Sequence, residues 1–169
     1  LRGEKPADWD IATNAKPEEI LKIFPHSFYN NQFFTVTVKT KSKDPTLKEI
    51  EITTFRKEGK YLDKRHPSEI SFAQTIEEDL ERRDFTVNAM ALEIEDLKKP
   101  EKFRIIDLFG GRDDLEKKII RAVKTPEERF KEDALRMLRA IRLLVTLGED
   151  WKIEENTFKA IKKFSFLLK

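Results

Sequence analysis

Residues 6–19 read PADWDIATNAKPEE, an acidic and apolar alternation that gives way, after Asn14, to a proline-led pair of glutamates. Trp9 to Ala12 has the pattern of a strand, and period-two alternation aims Asp8 and Asp10 at one face while Trp9 and Ile11 point to the other. Carboxylates this close repel one another unless something neutralises them, so the pair favours a divalent cation. Magnesium accepts one or two carboxylates together with substrate phosphates. Taken alone, the tripeptide also fits an acidic turn ahead of a strand. Pro17 to Phe24 (PEEILKIF) then places proline at a first helical position, with early glutamates and apolar residues at helical spacing, which predicts a short helix.

Working outward, Phe33 to Lys39 and Ile50 to Phe55 are rich in Phe, Val, Ile and Thr and read as paired strands, joined through the polar, proline-containing Lys41 to Lys48. Gly59 to Glu69 is polar and charged and reads as an exposed loop able to move. Thr75 and Glu78 have capping-box spacing, with a helix from Ile76 to Arg82. Asp84 to Leu92 alternates poorly and reads as helical, Arg104 to Leu108 reads as a short buried strand, and Gly110-Gly111 breaks it. Thr125, Pro126 and Glu128 mark the start of a helix that runs to Leu147, with Gly148 beyond its end. Ile153 to Leu168 reads as another amphipathic helix. The outcome is an α+β chain: a small mixed-sheet domain over residues 1–121 and an all-helical segment over 122–169.

Composition sets the outer bounds. The 169 residues carry 34 Lys and Arg against 32 Asp and Glu, a net charge of +2, so any basic surface must be local. The chain has no cysteine, and His26 and His66 are too few and too isolated for a zinc cluster. No apolar run approaches the roughly 20 residues that span a bilayer. These features fit a soluble protein of the reducing cytoplasm. High Lys and Glu content suits heat-adapted ion-pair networks as well as ordinary solvated helices.

Several blocks carry a resemblance. PADWDIATNAKPEE resembles the metal-binding signature of the class II tRNA nucleotidyltransferase and bacterial poly(A) polymerase family. Glu78 to Ala91 (EDLERRDFTVNAMA) is similar to that family's nucleotide-binding hallmark. Ile50 to Arg56 (IEITTFR), Asp107 to Val123 (DLFGGRDDLEKKIIRAV) and Glu132 to Arg142 (EDALRMLRAIR) follow in the family's order. The resemblance implies a polymerase-beta-like nucleotidyltransferase head followed by a helical neck. In that family two metals, taken to be Mg2+, activate an RNA 3′-hydroxyl and stabilise charge on the triphosphate. Asp8 and Asp10 would be catalytic metal ligands, and Glu51 the candidate third, with a surface glutamate as its plainer alternative.

Arg82, Arg83, Asp84 and Asn88 combine phosphate-matching forks, an acceptor suited to ribose hydroxyls and a bridging amide, although a run of charges alone also fits a solvated helix. The resemblance places Arg83 against the nucleotide. On the Pro126 helix, steps of about 100° gather Phe130, Ala134, Met137, Leu138, Ile141, Leu144 and Val145 into one apolar arc. Asp133, Arg136, Arg139 and Arg142 then fall outside it. By resemblance, Asp133 and Arg136 would meet the Watson-Crick edge of the incoming base, and Arg139 and Arg142 would contact nucleotide or brace the pocket.

The implied activity is template-independent addition of CCA to tRNA 3′ ends from CTP and ATP, with release of pyrophosphate. Poly(A) synthesis, partial CC- or A-addition, and a non-catalytic nucleotide- or RNA-binding piece are the competing readings. The Tyr61 to Phe72 stretch resembles the family's flexible loop, which CC-adding relatives tend to lack. There are departures as well. The family's Gly-Gly-x-Val-Arg-Asp segment would precede Leu1, and later helices would follow Lys169, so the chain reads as a fragment or a reduced relative. Phe33-Phe34-Thr35-Val36 stands where the family more usually has Phe-Gly-Thr-Val. Oligomeric state is not legible in the sequence.

Overall fold

A computed structural model describes residues 3, 5–30, 33–59, 69–99 and 101–168. Most of the predicted loop over residues 59–69 lies outside them. The chain forms two compact units, Leu1–Glu58 with Ile70–Asp79, and Gly59–Glu69 with Leu80–Lys169.

In the first unit β1 (Asp10–Thr13) leads into α1 (Pro17–Ile23), whose first turn closes when the Lys16 amide donates to the Glu19 carboxylate at 2.7 Å. Strands β2 (Ser27–Asn30), β3 (Thr35–Lys39) and β4 (Glu49–Thr54) complete a four-stranded sheet ordered β1-β4-β3-β2. β1 runs parallel to β4, and the other pairs are antiparallel. The TVTVK and EIEITT sequences suit a half-buried pleated surface. Val36 opposite Ile52 and Val38 opposite Ile50 form one face, packed with Ile20 and Leu21 of α1 into the core of this unit. Period-two alternation puts Thr35, Thr37, Glu51, Thr53 and Asp10 on the other face. A short hairpin, β5 (Arg56–Glu58) with β6 (Ile70–Phe72), continues from β4 and was not foreseen.

Helix α2 (Ile76–Glu81) straddles the division between the units. Its cap closes as expected on one side, Thr75 Oγ accepting from the Glu78 amide at 3.4 Å. The Glu78 carboxylate instead reaches the Gln74 amide at 2.7 Å.

The second unit corrects several expectations. Residues 84–92 are not a helix: Phe85 bridges to Ala122, Thr86–Asn88 make one tight 3-10 turn, and β7 (Met90–Ile94) pairs antiparallel with β8 (Phe103–Asp107). The two-residue period of Met90, Leu92 and Ile94 was masked by the helix-forming alanines beside them. The predicted buried strand at 104–108 is β8, in which Phe103 and Arg104 are exposed and the other three residues only half-buried. After it come α3 (Gly111–Glu116) and β9 (Ile119–Ile120).

The predicted single helix over 126–147 is two, α4 (Pro126–Glu132) and α5 (Leu135–Leu147), with Asp133 extended at φ −134° and ψ 105° between them. Thr125 makes no side-chain cap. The break re-phases everything after it. α5 buries Arg136, Met137 and Ala140 and packs Leu143, Leu144 and Leu147 inward, while Leu138, Ile141 and Val145, expected in the core, are 53%, 42% and 75% exposed. Then β10 (Lys152–Ile153) pairs parallel with β9, and α6 (Glu155–Phe164) ends in a 3-10 turn at Ser165–Leu168. Phe130, Ala134, Met137, Ala160 and Phe164 form one core cluster of this unit, and Phe85, Ile120, Ala140 and Trp151 another.

Candidate active site

The carboxylates come first because the sheet places them. Asp10 opens β1 directly opposite Glu51 of β4, and Glu51 is opposite Thr37 of β3. Strands hydrogen-bonded this way lie about 4.8 Å apart, so the Asp10 and Glu51 side chains rise side by side from the face away from α1. Both are exposed, and so is Asp8, two residues before the strand begins. Glu49 shares that face but is taken by Lys39 at 3.9 Å. The register therefore favours Glu51 over Glu49 as the partner of Asp10.

Asp8, Asp10 and Glu51 have no ion-pair partner among the described residues. Nor, among those residues, do three or more His, Cys, Asp or Glu side chains gather closely enough to hold a metal unaided. Two adjacent, uncompensated carboxylates on rigid strands nonetheless fit magnesium, which takes one or two carboxylates and draws its remaining ligands from phosphates and water.

The arginine-rich residues belong to the second unit. Arg83 Nη1 donates to the Asn88 carbonyl at 3.3 Å, closing the turn that carries the exposed Asn88. Asp84 is buried, accepts from the Phe85 amide at 2.9 Å and pairs with Arg139 Nε at 2.7 Å. Asp133 accepts from the Leu135 amide at 2.9 Å, so its carboxylate caps α5. Arg136, expected outside the core, is only 6% exposed. It donates to Glu132 at 2.8 Å, to the Arg129 carbonyl at 3.4 Å and to the Arg82 carbonyl at 3.2 Å. Arg142 is exposed on α5. The structure thus joins Arg83 to Asn88, Asp84 to Arg139 and Arg136 to residue 82. It leaves Asp133 and Arg142 in none of these pairs.

Sequence reasoning missed the supports. Asp107 accepts from the Gly111 and Arg112 amides at 2.8 and 2.9 Å, capping α3. Buried Asp114 accepts from Thr86 Oγ at 2.7 Å and from Arg121 Nε at 3.0 Å. A Cβ at Gly111 would sit 2.1 Å from the Thr86 carbonyl oxygen, so only glycine lets α3 lie against the turn that carries Asn88. Gly110, at φ +72°, supplies the left-handed step into α3. The DLFGGRDDLEKKIIRAV block is therefore a brace for the Arg83–Asn88 segment. Its signal in the sequence is the Asp-x-x-Gly-Gly spacing of residues 107–111.

A helix-backed mixed sheet with acids on its open face, followed along the chain by an arginine-rich helical segment, is the α+β architecture of the CCA-adding enzyme heads among solved structures. The chain belongs to the poly(A) polymerase head-domain family, whose model matches residues 1–121. It is 47% identical over 167 residues to the CCA-adding enzyme of Ligilactobacillus salivarius, covering 95% of this chain and 37% of that protein. The chain thus spans well under half the length of that relative. Among solved structures it superposes on the Bacillus stearothermophilus CCA-adding enzyme in complex with CTP at TM-score 0.80 and 38% identity. That match covers 99% of this chain and 37% of the other. It also superposes on the Thermotoga maritima CCA-adding enzyme complexed with tRNA at TM-score 0.67 and 31% identity, covering 95% and 34%. Among the described residues no helix is long and apolar enough to cross a membrane.

Proposed function

We propose that this chain carries the nucleotide-transfer chemistry of a CCA-adding enzyme, moving CMP and AMP from CTP and ATP to a tRNA 3′-hydroxyl with release of pyrophosphate. The observation that carries the reading is the in-register pair Asp10 and Glu51 on the open sheet face, with Asp8 two residues upstream. Support also comes from relatives that bear that name, one of them solved with CTP and another with tRNA.

Asp8, Asp10 and Glu51 would hold Mg2+, which when bound supplies charge neutralisation at the triphosphate and lowers the pKa of the attacking hydroxyl. Everything else falls to the chain's own groups. Rigid strands fix Asp10 and Glu51, so no reorganisation of the carboxylates is needed as charge develops. Arg83 contributes a phosphate-matching fork, and Asn88 presents its amide from a turn that Gly111 and Asp114 lock. Asp84 orients Arg139, which with Arg142 contacts the nucleotide or braces its pocket. Asp133 accepts from the base edge, while Arg136, buried and held by Glu132 and the Arg129 and Arg82 carbonyls, braces the junction that carries it. A protein edge then selects the base in place of a nucleic-acid template.

Incubating the intact protein with tRNA that ends before CCA, together with CTP, ATP and magnesium, and sequencing the product tests this reading. A tail of CCA that stops there is the expected result. A run of A residues would move the assignment to poly(A) synthesis, and no added nucleotide would overturn both.

A further inference from the structure

Phe34 is a bulky residue held at φ +55°, in the left-handed region that favours glycine. It closes the turn between β2 and β3, where Asn30 pairs with Thr35, and its carbonyl accepts from the Thr54 amide at 3.1 Å at the end of β4. A left-handed φ is a local backbone demand that glycine would meet without strain. Phenylalanine is held there by what its ring touches. The Phe34 ring lies 4.5 Å from that of Phe72, tilted 31°, and the Lys16 ammonium stands 5.9 Å over the Phe72 ring. Next to it, the Arg56 guanidinium covers Phe33 at 5.3 Å and donates to the Phe33 carbonyl at 2.7 Å.

Arg56 and Phe72 are cross-strand partners in the β5–β6 hairpin. Two consecutive residues of one turn therefore grip the two halves of a single pair on a neighbouring element. That hairpin has three paired positions, and an isolated two-stranded ribbon is marginal in water. On its other side it is tied toward α2, Arg56 N donating to Asp79 at 3.2 Å and Lys57 pairing with Glu78 at 2.5 Å. The Phe33–Phe34 turn is a side-chain tie from it to the sheet bearing Asp10 and Glu51, beside the backbone link through Phe55, whose amide donates to the Thr13 carbonyl at 2.7 Å.

We propose that Phe34 is a positioning residue, a ring latch that holds the β5–β6 hairpin on the β3–β4 end of the acid-bearing sheet. Its strained backbone is retained for that contact. The consequence for turnover rests on the nucleotide-transfer reading above, whereas the latch itself does not. β5 follows β4 after a single residue, Phe55, so loosening the hairpin loosens the strand that carries Glu51.

Site-resolved hydrogen exchange and thermal unfolding of the wild-type, F34G, F34A and F34Y proteins decide it. F34G removes the ring and relieves the backbone, so its melting temperature should hold or rise while amides at 56–58 and 70–73 exchange at least tenfold faster. F34A removes the ring and keeps the strain, so it should lose both stability and local protection. F34Y should restore wild-type protection. In the intact protein, turnover at saturating nucleotide should fall severalfold in F34G and recover in F34Y. Unchanged exchange in F34G, or failure of F34Y to restore it, overturns the latch. Wild-type protein that transfers no nucleotide overturns the function reading instead, and the exchange comparison still decides the latch.

Discussion

Asp10 and Glu51 differ from Glu49, the other acid of the sheet, in having a neighbour of like charge and, among the described residues, no cation partner, and that difference is chemical as well as geometric. Glu51→Gln keeps shape and removes charge, so turnover should fall by ten-fold or more while nucleotide affinity changes little, read by separating rate from binding in single-turnover kinetics. Asp133→Ala should relax discrimination among the four nucleotides more than it weakens triphosphate binding, because a base edge that loses its acceptor no longer rejects the wrong partner. Incorporation of all four on one tRNA reads this, and a uniform loss with unchanged selectivity contradicts it. Arg136 cannot be tested as simply. It is buried against Glu132 and two carbonyls, so Arg136→Ala should cost about 3 kcal/mol of stability in denaturant unfolding. The alternation of Asp8-Trp9-Asp10 made the first carboxylates legible in the sequence. Glu51 enters through the family resemblance and strand register sets it opposite Asp10, whereas the burial of Arg136 is hidden from any reading that carries one helix phase straight through Asp133.

Among the elements, the helices with explicit start signals were read best. Pro17 and Pro126 both stand at first helical positions, as their fixed φ allows. The stretch 84–92 alternates too poorly to show a strand, and its turn is imposed from elsewhere in the chain by Asp114, itself held by Arg121, and by the Ala122 bridge. That brace makes a sharp prediction. Gly111→Ala drives a Cβ into the Thr86 carbonyl and should cost about 3 kcal/mol, whereas Gly110→Ala meets open space and only the left-handed penalty of about 1 kcal/mol. Comparable losses in urea titrations of the two variants would contradict the close-approach argument.

Helix α6 offers a second test through Glu154, whose carboxylate accepts from the Thr157 amide at 2.8 Å and hydroxyl at 3.0 Å. Burial opposes its ionisation, but the Asn156 and Thr157 amides, the Thr157 hydroxyl and Arg121 outweigh that and hold its pKa below the usual range. A lowered folded pKa gives stability that is present above the unfolded value and lost as pH falls through the folded one. Wild type should therefore exceed Glu154→Gln by about 1 kcal/mol at pH 7, with the gap closing below about pH 4. A gap independent of pH would rule out the charged cap.

Over the whole chain, a net charge of +2 gives no general attraction to polyanions, so the proposed binding of tRNA would rest on local groups. The two units each have their own core, one built on α1 and the sheet, the other on α4, α5, α6 and the segments around Phe85 and Trp151. Residues 80–121 cluster with the helical segment although the family match places them in the head, so sequence homology and compactness divide the chain differently. Linear patterns made the α+β class and both helical blocks legible. They could not reveal contacts between distant residues, such as those made by Asp114 and Gly111. The central claim is that the acid-bearing sheet performs nucleotide transfer, and it is tested most directly by labelled-nucleotide incorporation into tRNA in magnesium, comparing the intact protein with its Asp10→Ala variant. The account predicts incorporation with equimolar pyrophosphate for the parent and a loss of roughly a thousand-fold or more for the variant, at nearly unchanged thermal stability. Turnover by Asp10→Ala within a few-fold of the parent would contradict it.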